Sequence, residues 1–171
     1  VELPEKAAAK YDELRDEMIT VLEENTITAV NAAVLAGKLR QVANGALYGD
    51  NRKILRLHDE KAERLADLIE QLQGNPLLVA YEFHHDLEAL RRVLGKKVPF
   101  IEGGMAPGKV EAILKEFNKG TQPVLLAQMG TIAYGLNLQA ACHNVCWYAI
   151  PWDLEIYEQF IKRVHRMGQK N

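Results

Sequence analysis

The chain has 171 residues, of which 48% are hydrophobic, and its formal net charge is −2. This length and composition fit one globular domain or one lobe of a larger protein. No apolar run approaches the roughly 18 residues of a membrane span, and the first residues do not form a signal peptide. Because the net charge is near zero, binding to nucleic acid would have to depend on a local patch. Since the sequence starts at Val1 rather than Met, we expect a piece of a longer protein.

The first 74 residues are predicted to be helical, because apolar residues recur there at helical spacing. A glycine typically ends a helix, and an acidic residue such as Asp59 typically caps the start of one. The predicted segments are helices over 7–22 and 32–42, a stop at Gly45, a loop over 44–52, and a third helix from Asp59 to a stop at Gly74.

From Pro76 onward, short apolar runs alternate with helical segments. A run such as Leu77–Tyr81 is typical of a strand buried in a parallel sheet. The predicted strands are 77–81, 98–101, 124–127 and 145–150, and the predicted helices are 86–94, 108–118 and a last helix capped by Asp153. This alternation predicts an α/β fold with a parallel sheet. We therefore divide the chain into a helical lead-in over residues 1–74, packed on a lobe over residues 75–171.

Two cysteines, Cys142 and Cys146, stand in a mostly apolar stretch beside His143. The Cys-x3-Cys spacing lacks the second pair of ligands that a structural zinc site needs. We therefore predict buried, reduced thiols and no metal site. Reduced thiols fit an intracellular, cytoplasmic protein.

A glycine-bearing segment, Gly103–Val110, follows a predicted strand and opens a predicted helix. It matches the phosphate-loop pattern G-x-x-x-x-G-K-[ST] except at Val110, which offers no hydroxyl group to Mg²⁺. Pro107 also removes one N–H group from a loop type that works by donating N–H groups. We therefore favour a glycine turn at a helix start over a nucleotide-binding loop.

Two polar pairs elsewhere are weaker candidates. Asp59-Glu60 lacks the uninterrupted apolar strand that precedes a Mg²⁺-binding Walker B carboxylate, so a helix cap is the better interpretation. His84-His85 follows the strand Leu77–Tyr81, at the end of a parallel sheet where ligands bind. Adjacent histidines point in different directions, which argues against a shared metal and leaves a surface role or a plain loop.

The C-terminal run from Gln159 to Gln169 carries the most informative pattern. Gln159, Arg163 and Arg166 stand at i, i+4 and i+7, so on a helix they share one face. Two guanidinium groups on one face suit an anion such as phosphate, and a salt-bridged, solvated helix end is the alternative. The glycine-bearing loop Gln128–Gln139 precedes this run and can contact a phosphate backbone through N–H groups.

Together these segments resemble the second RecA-like lobe of the SNF2 family, within the superfamily 2 helicases. Gly135–Leu138 is similar to motif V of that family, and Gln159–Gln169, read as Q-x3-R-x-H-R-x-G-Q, is similar to its motif VI. Further similar segments are 77–83 (motif IV), 103–118 (the segment after it), and 39–46 with 58–61 (the helical lead-in).

The chain also departs from the family pattern at two places. The Ser and Gly-Gly that are common before the last glycine of motif V are replaced by Gln128 and Ile132-Ala133, and the usual Trp-Asn-Pro reads Trp152-Asp153-Leu154. These variants look more like bacterial or phage members of the family than like eukaryotic remodellers.

The resemblance implies a RecA-like, three-layer α/β domain with a mostly parallel sheet and a helical N-terminal extension. It also implies that ATP and Mg²⁺ are held mainly by a first lobe that this sequence lacks. Arg166 would be the arginine finger, with Arg163 beside it on the γ-phosphate. Gln159 would orient that pair, and Gly135 would belong to the nucleotide site.

The resemblance further implies contacts with the phosphates of DNA. The residues expected there are Gly103, Gly104, Thr131, Asn137 and His84. The expected partners are double-stranded DNA and the first lobe of the same protein, with a monomeric fragment and no membrane. The implied function is one lobe of an ATP-dependent DNA translocase. The alternatives are another superfamily 2 helicase, acting on RNA or unwinding duplexes, and a non-catalytic RecA-like interaction domain.

Overall fold

A computed structural model describes residues 2–23, 29–49, 51, 53–132 and 143–164. The chain divides into two compact units, Val1–Arg64 and Leu65–Asn171. The domain division at residues 74 and 75 stays a prediction. None of the helices in the described part of the chain is long and apolar enough to cross a membrane.

The first unit contains two helices and a small hairpin. Helix α1 spans Glu5–Glu23 and α2 spans Ala29–Asn44, and β1 (Ala46–Tyr48) pairs antiparallel with β2 (Ile54–Arg56). The prediction of a plain loop over 44–52 is therefore wrong at residues 46–48. Strands of three residues are too short to show the alternating pattern by which a strand is recognised in a sequence.

Gly45 ends α2, as predicted, and the hairpin explains why a glycine is needed there. Its φ is +108°, and its carbonyl oxygen accepts hydrogen bonds from the N–H groups of Leu57 (2.8 Å) and His58 (3.1 Å). A Cβ atom at this position would lie 2.3 Å from the carbonyl oxygen of His58. Any side chain at residue 45 would therefore clash with the backbone that follows β2.

The remaining elements alternate between helices and strands. They are α3 (Glu60–Gln71), β3 (Leu77–Tyr81), α4 (His84–Val93), β4 (Phe100–Ile101), α5 (Pro107–Asn118), β5 (Val124–Gln128), α6 (Met129–Ile132), β6 (Asn144–Trp147) and α7 (Leu154–Val164). Strands β3 to β6 form one sheet in the order β4-β5-β3-β6, and every pairing in it is parallel. The predicted α/β fold with a mostly parallel sheet is confirmed.

Local hydrogen bonds explain where element boundaries differ from the predicted ones. Helix α4 begins at His84 rather than Asp86, because the Asp86 carboxylate accepts the N–H groups of Glu82 (3.2 Å) and Phe83 (2.9 Å) from within the first turn. Strand β4 begins only at Phe100, since the N–H of Val98 donates to Gly95 in a turn (3.3 Å). Strand β6 ends at Trp147 instead of residue 150.

The core of the second unit lies on both faces of this sheet. All five residues of β3 are buried, as are Leu125, Leu126 and Ala127 in the middle of β5. Phe117 from α5 and Phe160 from α7 are fully buried and belong to one hydrophobic cluster with Leu125 and Ala127. Burial on both faces is what a three-layer arrangement requires, because helices then cover each side of a parallel sheet.

Candidate nucleic-acid and nucleotide site

The carboxyl ends of β3 and β5 mark the point where the chain changes direction across the sheet. Strand β3 leads through α4 to β4 on one side, whereas β5 leads to β6 on the other. In open parallel sheets, ligands bind at such a point, because the diverging connections leave a crevice there. The segments that meet at this edge follow β3, β4 and β5.

Gln128, the last residue of β5, links the other two segments. Its Oε1 accepts the N–H of Gly103 at 3.0 Å, and its Nε2 donates to the carbonyl oxygen of Glu82 at 3.3 Å. Since β5 lies between β4 and β3 in the sheet, one side chain holds together the ends of three adjacent strands. We define the Gly103–Gly104 turn, Gln128, Thr131 and His84 as the carboxyl-edge site.

The Gly103–Gly104 turn lies against the start of α6. A Cβ atom at Gly103 would lie 3.7 Å from both Gln128 Oε1 and Thr131 Oγ1, which is ordinary contact distance. Gly104 has a φ of +83° and open space around it, so glycine is favoured there by backbone conformation and not by crowding. Helix α5 begins shortly after, at Pro107.

His84 reaches the same edge from the start of α4. Its imidazole is 61% exposed and lies between two carboxylates, 3.7 Å from Glu102 and 3.6 Å from Glu88. The structure therefore brings His84 at the start of α4, the Gly103–Gly104 turn and Thr131 in α6 to the same edge. Their roles in binding stay predictions.

A buried layer supports this edge from below. The Tyr81 hydroxyl donates to the carbonyl oxygen of Ile101 at 3.3 Å, which joins the end of β3 to the end of β4. Burial raises the pKa of Tyr81 far above its ordinary value, and the carboxylates of Glu102 and Asp86 add to the effect. The phenol therefore stays protonated and keeps this hydrogen bond throughout the physiological range.

A cleft of about 400 Å³ opens between this edge and the start of α7. Glu82, Gln128 and Thr131 line one side, and Trp152 and Asp153 line the other. The Trp152 side chain is exposed at the rim (73%). Glu82, Trp152 and Gln128 were not among the predicted site residues. The signals that could have identified two of them are the departures from the family pattern, at Gln128 and directly after Trp152.

Helix α7 carries Gln159 and Arg163, the first two residues of the motif VI pattern, and two sets of contacts fix its first turns. The predicted cap is confirmed, since Asp153 Oδ1 accepts the N–H of Glu155 at 2.8 Å. The ring of Trp147 in β6 stacks on Tyr157 (5.0 Å) and contacts Phe160 (4.8 Å). The helix is thus fixed to the edge strand of the sheet by aromatic packing.

Gln159 is the motif VI residue whose side chain the structure describes. Its Nε2 donates to the Glu155 carboxylate at 2.8 Å, one helical turn earlier. The backbone of Arg163 lies in α7, one turn after Gln159, and its side chain is outside the described residues. Arg166, Gly135 and Asn137 are also outside the described residues, so the predictions made for them stay predictions.

Other sequence candidates have simpler roles. The turn and helix start over Gly103–Val110 are present, and the ammonium group of Lys109 lies 6.0 Å from the centre of the Phe100 ring. Asp59 precedes α3 and pairs with Arg56.

Among the described residues, no group of three or more His, Cys, Asp or Glu side chains is arranged to hold a metal ion.

With this geometry in place, comparison with known proteins is informative. The model of the helicase conserved C-terminal domain matches residues 60–168. The chain belongs to this family. The predicted second RecA-like lobe is thereby confirmed, and the matched region includes every element of the parallel sheet.

Individual relatives agree with this assignment. A phage protein designated p41, from Acyrthosiphon pisum secondary endosymbiont phage 1, is 37% identical over 165 residues, covering 96% of this chain and 34% of that protein. A Bacillus subtilis (strain 168) protein that carries the name ATP-dependent helicase/translocase YwqA is 24% identical over 181 residues, covering 99% of this chain and 20% of that protein. The chain thus spans about a third of the length of the first relative and a fifth of the second.

Among solved structures, the fold is similar to that of the Sulfolobus solfataricus SWI2/SNF2 ATPase core in complex with dsDNA. The TM-score is 0.71 at 19% sequence identity, and the match covers 98% of this chain and 37% of the other. At this identity the similarity shows the fold alone.

Proposed function

We propose that this chain is the second RecA-like lobe of an SNF2-type, ATP-dependent translocase that moves on double-stranded DNA. In this proposal a first lobe of the same protein holds ATP and Mg²⁺, and this lobe supplies Arg166 as the arginine finger with Arg163 beside it. Gln159 orients the arginines, and Gly135 lies beside the nucleotide. Positive charge at the transferring phosphoryl group stabilises the transition state.

The observation that carries the DNA part of the proposal is the carboxyl-edge site. It gathers the Gly104 N–H, the Thr131 hydroxyl and the His84 imidazole from the segments that follow β4, β5 and β3, at the place where parallel sheets bind ligands. Asn137, predicted to join them, follows Thr131 along the chain. Glu82 and Glu102 also lie at this edge, and because their charge repels phosphate, we assign the contacts to the Gly104 N–H and the Thr131 hydroxyl.

The comparisons supply independent support. The SWI2/SNF2 ATPase core of similar fold was solved with double-stranded DNA bound. The relative YwqA is named a helicase/translocase. The duplex bound in that structure favours double-stranded DNA as the substrate, whereas the name of YwqA fits translocation without deciding between DNA and RNA.

The test is the ATPase activity of the full-length protein with different nucleic acids. Double-stranded DNA, single-stranded DNA and RNA are added at equal nucleotide concentration. We expect double-stranded DNA to stimulate turnover most. Greatest stimulation by RNA would place the protein in another branch of superfamily 2, and a full-length protein with no ATPase activity would favour a non-catalytic interaction domain.

A further inference from the structure

The Gln128 side chain satisfies one of the two glycine N–H groups in the turn that follows β4. Its Oε1 accepts the N–H of Gly103 at 3.0 Å, while its Nε2 is tied to the carbonyl oxygen of Glu82 at 3.3 Å. With both ends of the amide engaged, the side chain acts as a brace between the β3 and β4 ends. The N–H of Gly103 is therefore already used within the protein.

Gly104 differs from its neighbour in each of these respects. Its N–H donates no hydrogen bond within the part of the chain that the structure describes. Gly104 is exposed, has a φ of +83°, and has no atom within 4 Å of the place where a Cβ would stand. An N–H group of an exposed residue, in a turn fixed by the hydrogen bond at Gly103, can donate to an anionic oxygen.

We propose that Gln128 is a positioning residue for DNA, which holds the Gly103–Gly104 turn so that the N–H of Gly104 meets a backbone phosphate. This inference rests on the proposed function, because it assumes that the carboxyl-edge site faces DNA. It also assigns the two glycines different tasks. Gly103 is bound by the brace, and Gly104 contacts the ligand.

Loss of the brace should weaken DNA binding without removing a DNA-contacting group. Replacing Gln128 by methionine keeps the length of the side chain and removes both hydrogen bonds. Without these hydrogen bonds the turn loses conformational entropy when DNA binds. This entropy loss raises the dissociation constant. We expect the Kd for double-stranded DNA to rise about tenfold.

The experiment compares Gln128→Met with Gln122→Met in the full-length protein. Gln122 is an exposed glutamine just before β5, at the opposite end of the same strand. DNA binding is followed by fluorescence anisotropy of a labelled duplex, and ATP turnover is measured at saturating DNA. We expect Gln128→Met to raise the Kd for DNA by a larger factor than it changes kcat, and Gln122→Met to change neither.

Hydrogen exchange without DNA provides the second readout. Peptides that contain the amide of Gly103 should exchange faster in Gln128→Met than in the wild type and in Gln122→Met. Unchanged exchange, or an unchanged Kd in a protein that does bind DNA, would overturn the inference. If exchange accelerates but the wild type binds no duplex, the proposed function fails, and Gln128 is a structural tie without a role in DNA positioning.

Discussion

The interior of the parallel sheet and its carboxyl edge are stabilised in different ways. Strand β3 is buried at every residue, and the middle of β5 is equally apolar. At the edge, by contrast, glycines, a bridging glutamine and an exposed histidine are joined by a few hydrogen bonds. Burial of apolar surface stabilises the interior, whereas individual polar contacts fix the geometry of the edge. Substitutions should therefore separate into those that unfold the lobe and those that mainly move the site.

The largest effect is expected from Phe160→Ala, which tests the interior. Phe160 is fully buried and contacts the ring of Trp147. Because the substitution leaves a large cavity, we expect the free energy of unfolding of the 171-residue chain to fall by about 3–5 kcal/mol in urea titrations. Leu154→Ala is the control on the same helix, since Leu154 is 69% exposed. Equal losses for the two variants would show that α7 does not pack as described.

Alanine substitutions at two glycines test the edge. Their effects on the free energy of unfolding are smaller and opposite in sign. Gly104→Ala places a side chain at a φ of +83° and should lower the free energy of unfolding by about 1–2 kcal/mol. Gly108→Ala, in the first turn of α5 with open space around it, should raise that free energy by about 0.5 kcal/mol. Thermal or urea unfolding measures both. Destabilisation by Gly108→Ala equal to that by Gly104→Ala would contradict the conformation of the turn.

A further modest effect concerns Tyr81, where interior and edge meet. At pH 7 we expect Tyr81→Phe to cost about 1 kcal/mol, because the hydrogen bond to Ile101 is lost. The folded-state pKa of Tyr81 is raised above its ordinary value of 10.0, so the wild type loses this advantage as the pH rises above that value. The difference between the two proteins should therefore shrink above pH 10. A constant difference in unfolding free energy across that range would show that the phenol is not buried.

The sequence predicts the interior better than the edge, and the reason is physical. Apolar runs such as Leu77–Tyr81 reveal buried strands because burial on both faces leaves little choice of residue. The hairpin β1–β2 is missed because its strands have three residues each and no extended pattern. The brace made by Gln128 is also missed, since its partners Glu82 and Gly103 are distant in sequence and are brought close only by the order of the strands.

The central claim is that this lobe supplies an arginine to ATP held by another lobe. The most direct measurement is kcat for ATP hydrolysis by the full-length protein with double-stranded DNA, comparing Arg166→Ala with Lys162→Ala. Lys162 is an exposed basic residue on the same run, paired with Glu158 at 3.2 Å. We expect Arg166→Ala to lower kcat about a thousandfold, as loss of an arginine finger does, and Lys162→Ala to leave kcat near the wild-type value. Wild-type kcat in Arg166→Ala would contradict the claim.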